Sequence, residues 1–155
     1  MPTTIISPAR DVNNLGKVEH QLGNLEAAKE HFVRALEIDE TAYGLVHPKV
    51  AALVNNLGKI DHELGDLEGA KQRYTRALQI NGEVHGPDHL SVARDAANLG
   101  VVLRDIGDLE GAEKRLRWAL NILEQHLGTE HPKTRAIQRD LQNLPNPDTR
   151  GTAAK

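Results

Sequence analysis

An asparagine amide carries a donor and an acceptor on one short side chain, so it can bond to the N–H and the C=O of an extended peptide at once. Asn14, Asn56 and Asn98 stand 42 residues apart. Each belongs to a run whose steps of three and four residues gather side chains on one helix face. The first run is Arg10, Asn14, Lys17 and Gln21, edged by Asn13 and His20. The second is Ala52, Asn56, Lys59 and Glu63, edged by Asn55 and His62. The third is Arg94, Asn98, Val101 and Asp105, edged by Arg104. Arg10, Lys17, Lys59, Arg94 and Arg104 make these faces more basic than the chain as a whole, whose net charge is −3. Cations beside amides suit a carboxylate, held by charge-assisted hydrogen bonds. The competing assignment is that the asparagines bond to one another or to nearby backbone and stabilise a stack.

Eight histidines raise the question of metal. His47, His89 and His131 are one position seen three times. Equivalent atoms in successive units of a helical stack lie on the order of 10 Å apart, too far to share an ion held by bonds of about 2 Å. Capping the following helix is the expected role. His85 and His89 have the spacing of helix neighbours, but Gly86-Pro87 between them is expected to break that geometry. No metal and no cofactor is expected. Catalysis is not expected either. There is no nucleophile elbow, no glycine-rich phosphate loop after a strand and no His-Glu-x-x-His. The carboxylates fall on helix surfaces, as in the charge pair of Glu26 with Lys29.

The chain lacks cysteine, which removes disulfides, thiol nucleophiles and thiolate metal sites. Its mild charge points to neither nucleic acid nor an anionic membrane. No apolar run approaches the roughly 20 residues that span a bilayer, and the first eight residues lack the basic start and apolar core of a signal peptide. A soluble, cytoplasmic protein, or a fragment of a larger one, is the expectation.

A repeat positions these side chains. Asn55-Asn56-Leu57-Gly58-Lys59 returns 42 residues earlier as Asn13-Asn14-Leu15-Gly16-Lys17 and 42 later as Ala97-Asn98-Leu99-Gly100-Val101. Leu64-Gly65-Asp66-Leu67-Glu68 and Arg76-Ala77-Leu78 recur at the same period. A fixed period of this length means one supersecondary unit stacked along an axis. Apolar periodicity and turn residues place helices at 8–22, 25–42, 48–64, 67–84, 90–106, 109–127 and 132–143. The units are about 8–47, 48–89 and 90–131, followed by a capping helix at 132–143. Residues 1–7 are expected to be a flexible tail and 144–155 a disordered one. Val12, Leu15, Val18 and Leu22 form the expected apolar face of the first helix. Gly16, Gly58 and Gly100 sit inside helices at a cost of about 1 kcal/mol each relative to Ala. Close approach of the partner helix explains that cost, with Ala28, Ala70 and Ala112 as the expected facing residues. Trp118, where the other units have Arg34 and Arg76, is expected to cover the terminal helix, the alternative being an outward contact surface.

These units resemble the tetratricopeptide repeat. The resemblance rests on Leu before a small residue in the first helix, Gly-Asp-Leu-Glu-x-Ala at the turn and Arg-Ala-Leu in the second helix. The 42-residue period, Asn-Asn-Leu, Arg-Ala-Leu-x-Ile and the Gly-x-x-His-Pro link are similar to the kinesin light chain variety. Related arrays occur in bacterial multidomain sensors. The resemblance covers about residues 9–143 and implies an all-α, right-handed α-solenoid of three helix pairs plus a C-terminal capping helix. It also implies a concave groove, lined by the first helix of each pair, in which family members hold extended peptides. At the matching positions stand Arg10, Asn13, Asn14, Lys17, Asn55, Asn56, Lys59, Arg94, Asn98 and Arg104. The expected function is a protein-interaction module for an acidic or carboxylate-bearing peptide. Two departures weigh against a light chain's cargo preference: Leu90 replaces the link proline, and the aromatic that often follows the Asn-Asn-Leu segment is absent. The alternatives are a homo-oligomer built end to end through the array ends and a sensor or scaffold segment of a larger signalling protein. An enzyme using the groove stands behind both.

Overall fold

The computed structural model describes residues 8–146 and 148. These form seven α-helices and no strand: α1 (Pro8–Gln21), α2 (Leu25–Tyr43), α3 (Pro48–Glu63), α4 (Leu67–His85), α5 (Leu90–Ile106), α6 (Leu109–Leu127) and α7 (Pro132–Gln142). Every helix end lies within one residue of the position expected from the sequence. The main packing runs from each helix to the next along the chain. The result is an all-α solenoid, with fewer contacts between helices one further apart, such as α3 with α5.

Punctuation is local too. The short turns place Gly23, Gly65 and Gly107 at φ 82°, 84° and 100°, a left-handed conformation that favours glycine. The longer links end on histidine caps, as expected. The Nδ1 atoms of His47, His89 and His131 accept from the backbone N–H of Lys49, Ser91 and Lys133, each at 3.1 Å. Leu90 fills the first helical position occupied elsewhere by Pro48 and Pro132, and its cap survives. Gly86-Pro87 does break the helix between His85 and His89, yet the two rings meet. They stack with centroids 4.1 Å apart and planes 15° from parallel. The link turns back at Gly86, φ 88°, and lays the capping ring over the last residue of α4. Tyr43 and His47 make the same stack at 4.4 Å.

At the short turns Asp66 and Asp108 accept from the backbone N–H of Gly69 and Gly111, each at 2.9 Å. A Cβ at either glycine would collide with the capping carboxylate. The first unit has Ala27 at that place, and there Asn24 makes no side-chain cap. It donates instead to Glu19 at 2.7 Å.

The mid-helix glycines do mark close approach, but the partners differ from those expected. A Cβ on Gly16 would lie 2.8 Å from the Phe32 ring, on Gly58 2.9 Å from Tyr74 and on Gly100 2.8 Å from Leu116. The large residue one turn beyond each expected alanine fills the notch. Of the alanines, Ala112 is among the nearest neighbours, its carbonyl 3.3 Å from the Gly100 position.

Two apolar clusters make up the core. Ala28, Phe32, Leu36, Val54, Leu57 and Ile60 represent the first, and Tyr74, Val92, Leu99, Leu103, Leu116 and Ile122 the second. The apolar face expected on α1 is only partly used. Val12 is buried, while Leu15, Val18 and Leu22 are exposed, with no helix on their outer side among the described residues. Lys29 does not serve Glu26: its Nζ lies 2.7 Å from Oδ1 of buried Asp61 on α3, with Arg73 3.6 Å from the other oxygen. Trp118 and Leu144 both pack against the second cluster, so the chain stays docked just past α7. The expected tail at 1–7 and residues 147 and 149–155 of the expected C-terminal tail lie outside the described residues. Among the described residues no helix is long and apolar enough to cross a membrane.

Candidate functional site

The odd-numbered helices repeat one face, and the hollows of interest lie between successive ones. Two asparagine columns run along it with different fates. Among the described residues Asn14, Asn56 and Asn98 make no side-chain hydrogen bond. Asn14 is exposed and the other two are half-buried. Lys17, His20, Gln21, Asn56 and Lys59 line one hollow of about 210 Å³ between α1 and α3, with Phe32 and Ile60 at its floor. Both lysines are exposed and neither has an ion-pair partner among the described residues. Amides without partners and ammonium groups without counter-ions therefore share one wall.

The second column belongs to the stack. Asn55 Nδ2 donates to Asp95 Oδ1 at 2.8 Å and Asn81 Nδ2 to Asp95 Oδ2 at 2.5 Å. Arg94 donates to Asp95 Oδ1 from Nε at 3.1 Å and Nη2 at 3.0 Å. Asp95 is fully buried. Desolvation pushes its carboxyl up, against the pull of Arg94 and the two amides. Asn55 and Arg94 thus make the kind of bonds that the stack-stabilising assignment expects, while Arg94 also stands at the cleft between α5 and α7. Arg104 is engaged as well, with Nε 3.1 Å from Asp105 Oδ1, and His62 bonds the other oxygen at 2.7 Å. Arg10 leans on Asp11 at 3.7 Å. The face is less basic than its composition implies, and its unpaired charge is concentrated at Lys17 and Lys59.

Going from unit to unit, one trio of positions changes character. Asn55, Asn81 and Asp95 close the junction between the second unit and α5 with hydrogen bonds. One unit on, the same positions hold Ala97, Leu123 and Ile137, and a cleft of about 530 Å³ opens between α5 and α7. Leu90, Ala93 and Leu127 add to its apolar lining, and Arg94, Asn98 and Lys133 stand at it. One unit earlier the trio is Asn13, Asp39 and Leu53. Leucine cannot accept what asparagine offers, so Asn13 and Asp39 face a small cleft shared with Arg10 and Lys49. Burial pushes the Asp39 carboxyl up, opposed by Lys49 and His47.

The apolar cleft was not among the expected site residues. Its signal was present in the sequence as three simultaneous polar-to-apolar changes at one period, visible only once the three positions are known to meet. The same holds for a ladder across the units: His20 bonds both oxygens of Glu63 at 2.9 Å, and His62 repeats the contact with Asp105.

Residues 10–83 and 55–125 match a family model described as tetratricopeptide repeat. No curated protein matches the sequence. Among solved structures, the fold is similar to the crystal structure of BtubC (BKLC) from P. vanneervenii, with a TM-score of 0.82 and 26% identity over 88% of this chain and 54% of that one. It is also similar to a putative kinesin light chain from Podosopora anserina with nearly identical TPR-like repeats, with a TM-score of 0.81 and 20% identity over 92% of this chain and 67% of that one. The N-terminal domain of stress-induced protein-1 (STI-1) from C. elegans aligns at a TM-score of 0.66 and 17% identity, over 91% of this chain and 100% of that one. The chain spans about half the length of the first of these.

Proposed function

Since the chain belongs to the tetratricopeptide repeat family, with an array of the kinesin light chain-like type, we propose that it is a protein-interaction module whose odd-helix face binds an extended acidic peptide. The observation that carries this reading is the column of Asn14, Asn56 and Asn98, none with a side-chain hydrogen bond among the described residues, with Asn56 in one hollow beside the unpaired Lys17 and Lys59. Amides held open on one wall serve a ligand's backbone, which they bond whatever its sequence.

The two lysines add selection for negative charge. Each contact is screened and small, and the pair together steers an acidic segment towards the wall. At the other end the cleft between α5 and α7 receives an apolar side chain of the same peptide, with Lys133 beside it for a neighbouring carboxylate. Each amide–backbone bond is worth about 0.5–1.5 kcal/mol net, so the affinity arises from several modest contacts and not from one anchor. The role is non-enzymatic.

Capture from a lysate tests the reading. The protein and its Asn14→Ala/Asn56→Ala/Asn98→Ala variant are compared after both show the same helicity and melting. A partner held by the first and lost by the second supports the groove. Equal capture by both removes it.

A further inference from the structure

The N-terminal edge of the stack carries a surface that the groove does not use. Leu15 and Val18 on α1 and Leu22 just past its end are 52%, 51% and 69% exposed. One unit on, Leu57 and Ile60 are 0% and 1% exposed, and Leu64 packs against the same cluster. Part of what covers them is α2, which contributes Ala28, Phe32, Ala35 and Leu36 to that cluster. Two ion pairs reach forward from α2 and frame the contact. Lys29 pairs with Asp61 of α3 at 2.7 Å, and Glu40 pairs with Arg76 of α4.

At the leading edge, the positions of Asp61 and Arg76 are held by Glu19 and Arg34. Neither has an ion-pair partner among the described residues: Glu19 takes one hydrogen bond, from Asn24, and Arg34 is exposed. The edge repeats the aliphatic stripe, the acid and the cation that α2 meets at the next junction, with no α2 in front of them.

We infer that this edge docks an amphipathic helix of a partner protein, lying on α1 as α2 lies on α3. The helix carries an aliphatic stripe, a lysine or arginine opposite Glu19, and an acidic residue eleven positions later opposite Arg34, the spacing of Lys29 and Glu40. Continuity with the α2–α3 interface and the placement of opposite charges select this occupant. A second copy fits poorly. Two α1 faces packed antiparallel would set Asp11 of one copy against Glu19 of the other, a repulsive arrangement. The far end offers α7 with Arg135, Gln138, Arg139 and Gln142, a polar surface that cannot bury the stripe. The surface is independent of the groove.

The probe is the protein's own α2 sequence, residues 24–44, labelled, carrying Arg34→Lys and held helical by a lactam from that amine to Glu30, two positions exposed in the fold. Fluorescence anisotropy against the full chain is expected to show saturable binding. Lys29→Glu in the peptide weakens it about fivefold or more, and Glu19→Lys in the protein restores binding of that reversed peptide. Leu22→Lys, at a side chain 69% exposed, is expected to abolish binding while leaving the melting curve in place. The Asn14, Asn56 and Asn98 variant is expected to bind the helix as the parent does. No binding to the parent overturns the inference, as does binding indifferent to the charge reversal. A mass that rises with concentration and falls back in Leu22→Lys would give the face to a second copy. Binding seen only after deletion of residues 1–7 would give it to that segment.

Discussion

At the residue scale the most informative contrast is one trio of positions in two chemistries. Asn55, Asn81 and Asp95 bond where Ala97, Leu123 and Ile137 pack or stand apart around a cleft. Asp95→Leu alone strands two amides and a guanidinium, and is expected to cost about 1–3 kcal/mol in urea unfolding. Copying the whole later set, as Asn55→Ala/Asn81→Leu/Asp95→Ile, is expected to cost less because no buried polar group is left unpaired. The carboxyls also differ in sign. Burial holds Asp95 up, so its contribution to stability is full below the unfolded carboxyl value of about 3.9 and is lost as pH rises through the folded value. At Asp105 burial also pushes upward, but bonds from His62 and Arg104 outweigh it and hold the carboxyl low. Its contribution is present above about pH 3.9 and lost as pH falls through the folded value. Unfolding at pH 7 and pH 3 is expected to show Asp105→Asn losing stability at the first and little at the second. The sequence displays Asn55 and Arg94 as free polar residues on a helix face. It does not display Asp95 reaching them, because an acid in Val92-Ala93-Arg94-Asp95-Ala96 reads as one more surface charge until α4 is placed behind it.

At the element scale the sequence was nearly sufficient. Helix ends are written in local chemistry, glycine at the left-handed turns and a histidine or aspartate at the caps, and local chemistry needs no tertiary information. What depended on pairing was less legible. The mid-helix glycines announce a close approach, but which side chain approaches follows from the crossing of two helices. Gly58→Ala is expected to destabilise the chain by about 1–3 kcal/mol, since its methyl would meet the Tyr74 ring at 2.9 Å in a filled site. The caps give a finer test. Asp66→Ala is expected to lower stability by about 1 kcal/mol, and Asn24→Ala by less, because Asn24 does not cap its helix. Thermal melts of the two variants side by side check the order.

At the scale of the whole molecule, a one-dimensional stack has two ends and a wall, and each is finished differently. The trailing end closes with polar α7, the leading end leaves Leu15, Val18 and Leu22 open, and the wall keeps unbonded amides beside unpaired lysines. The period made the wall legible from sequence; the neutralisation of Arg94 and Arg104 by adjacent aspartates was not, since adjacent opposite charges on a helix do not by themselves face each other. The central claim is that Lys17 and Lys59 with their asparagines select acidic extended peptides. It is tested most directly by selecting displayed random peptides of about 12 residues, some 40 Å when extended, on the protein, then measuring their binding to Lys17→Glu/Lys59→Glu. Enriched peptides with an acidic bias, whose binding drops in the variant and weakens with added salt, are the result this account expects. Enriched peptides without acidic bias, or bound equally by the variant, would contradict it.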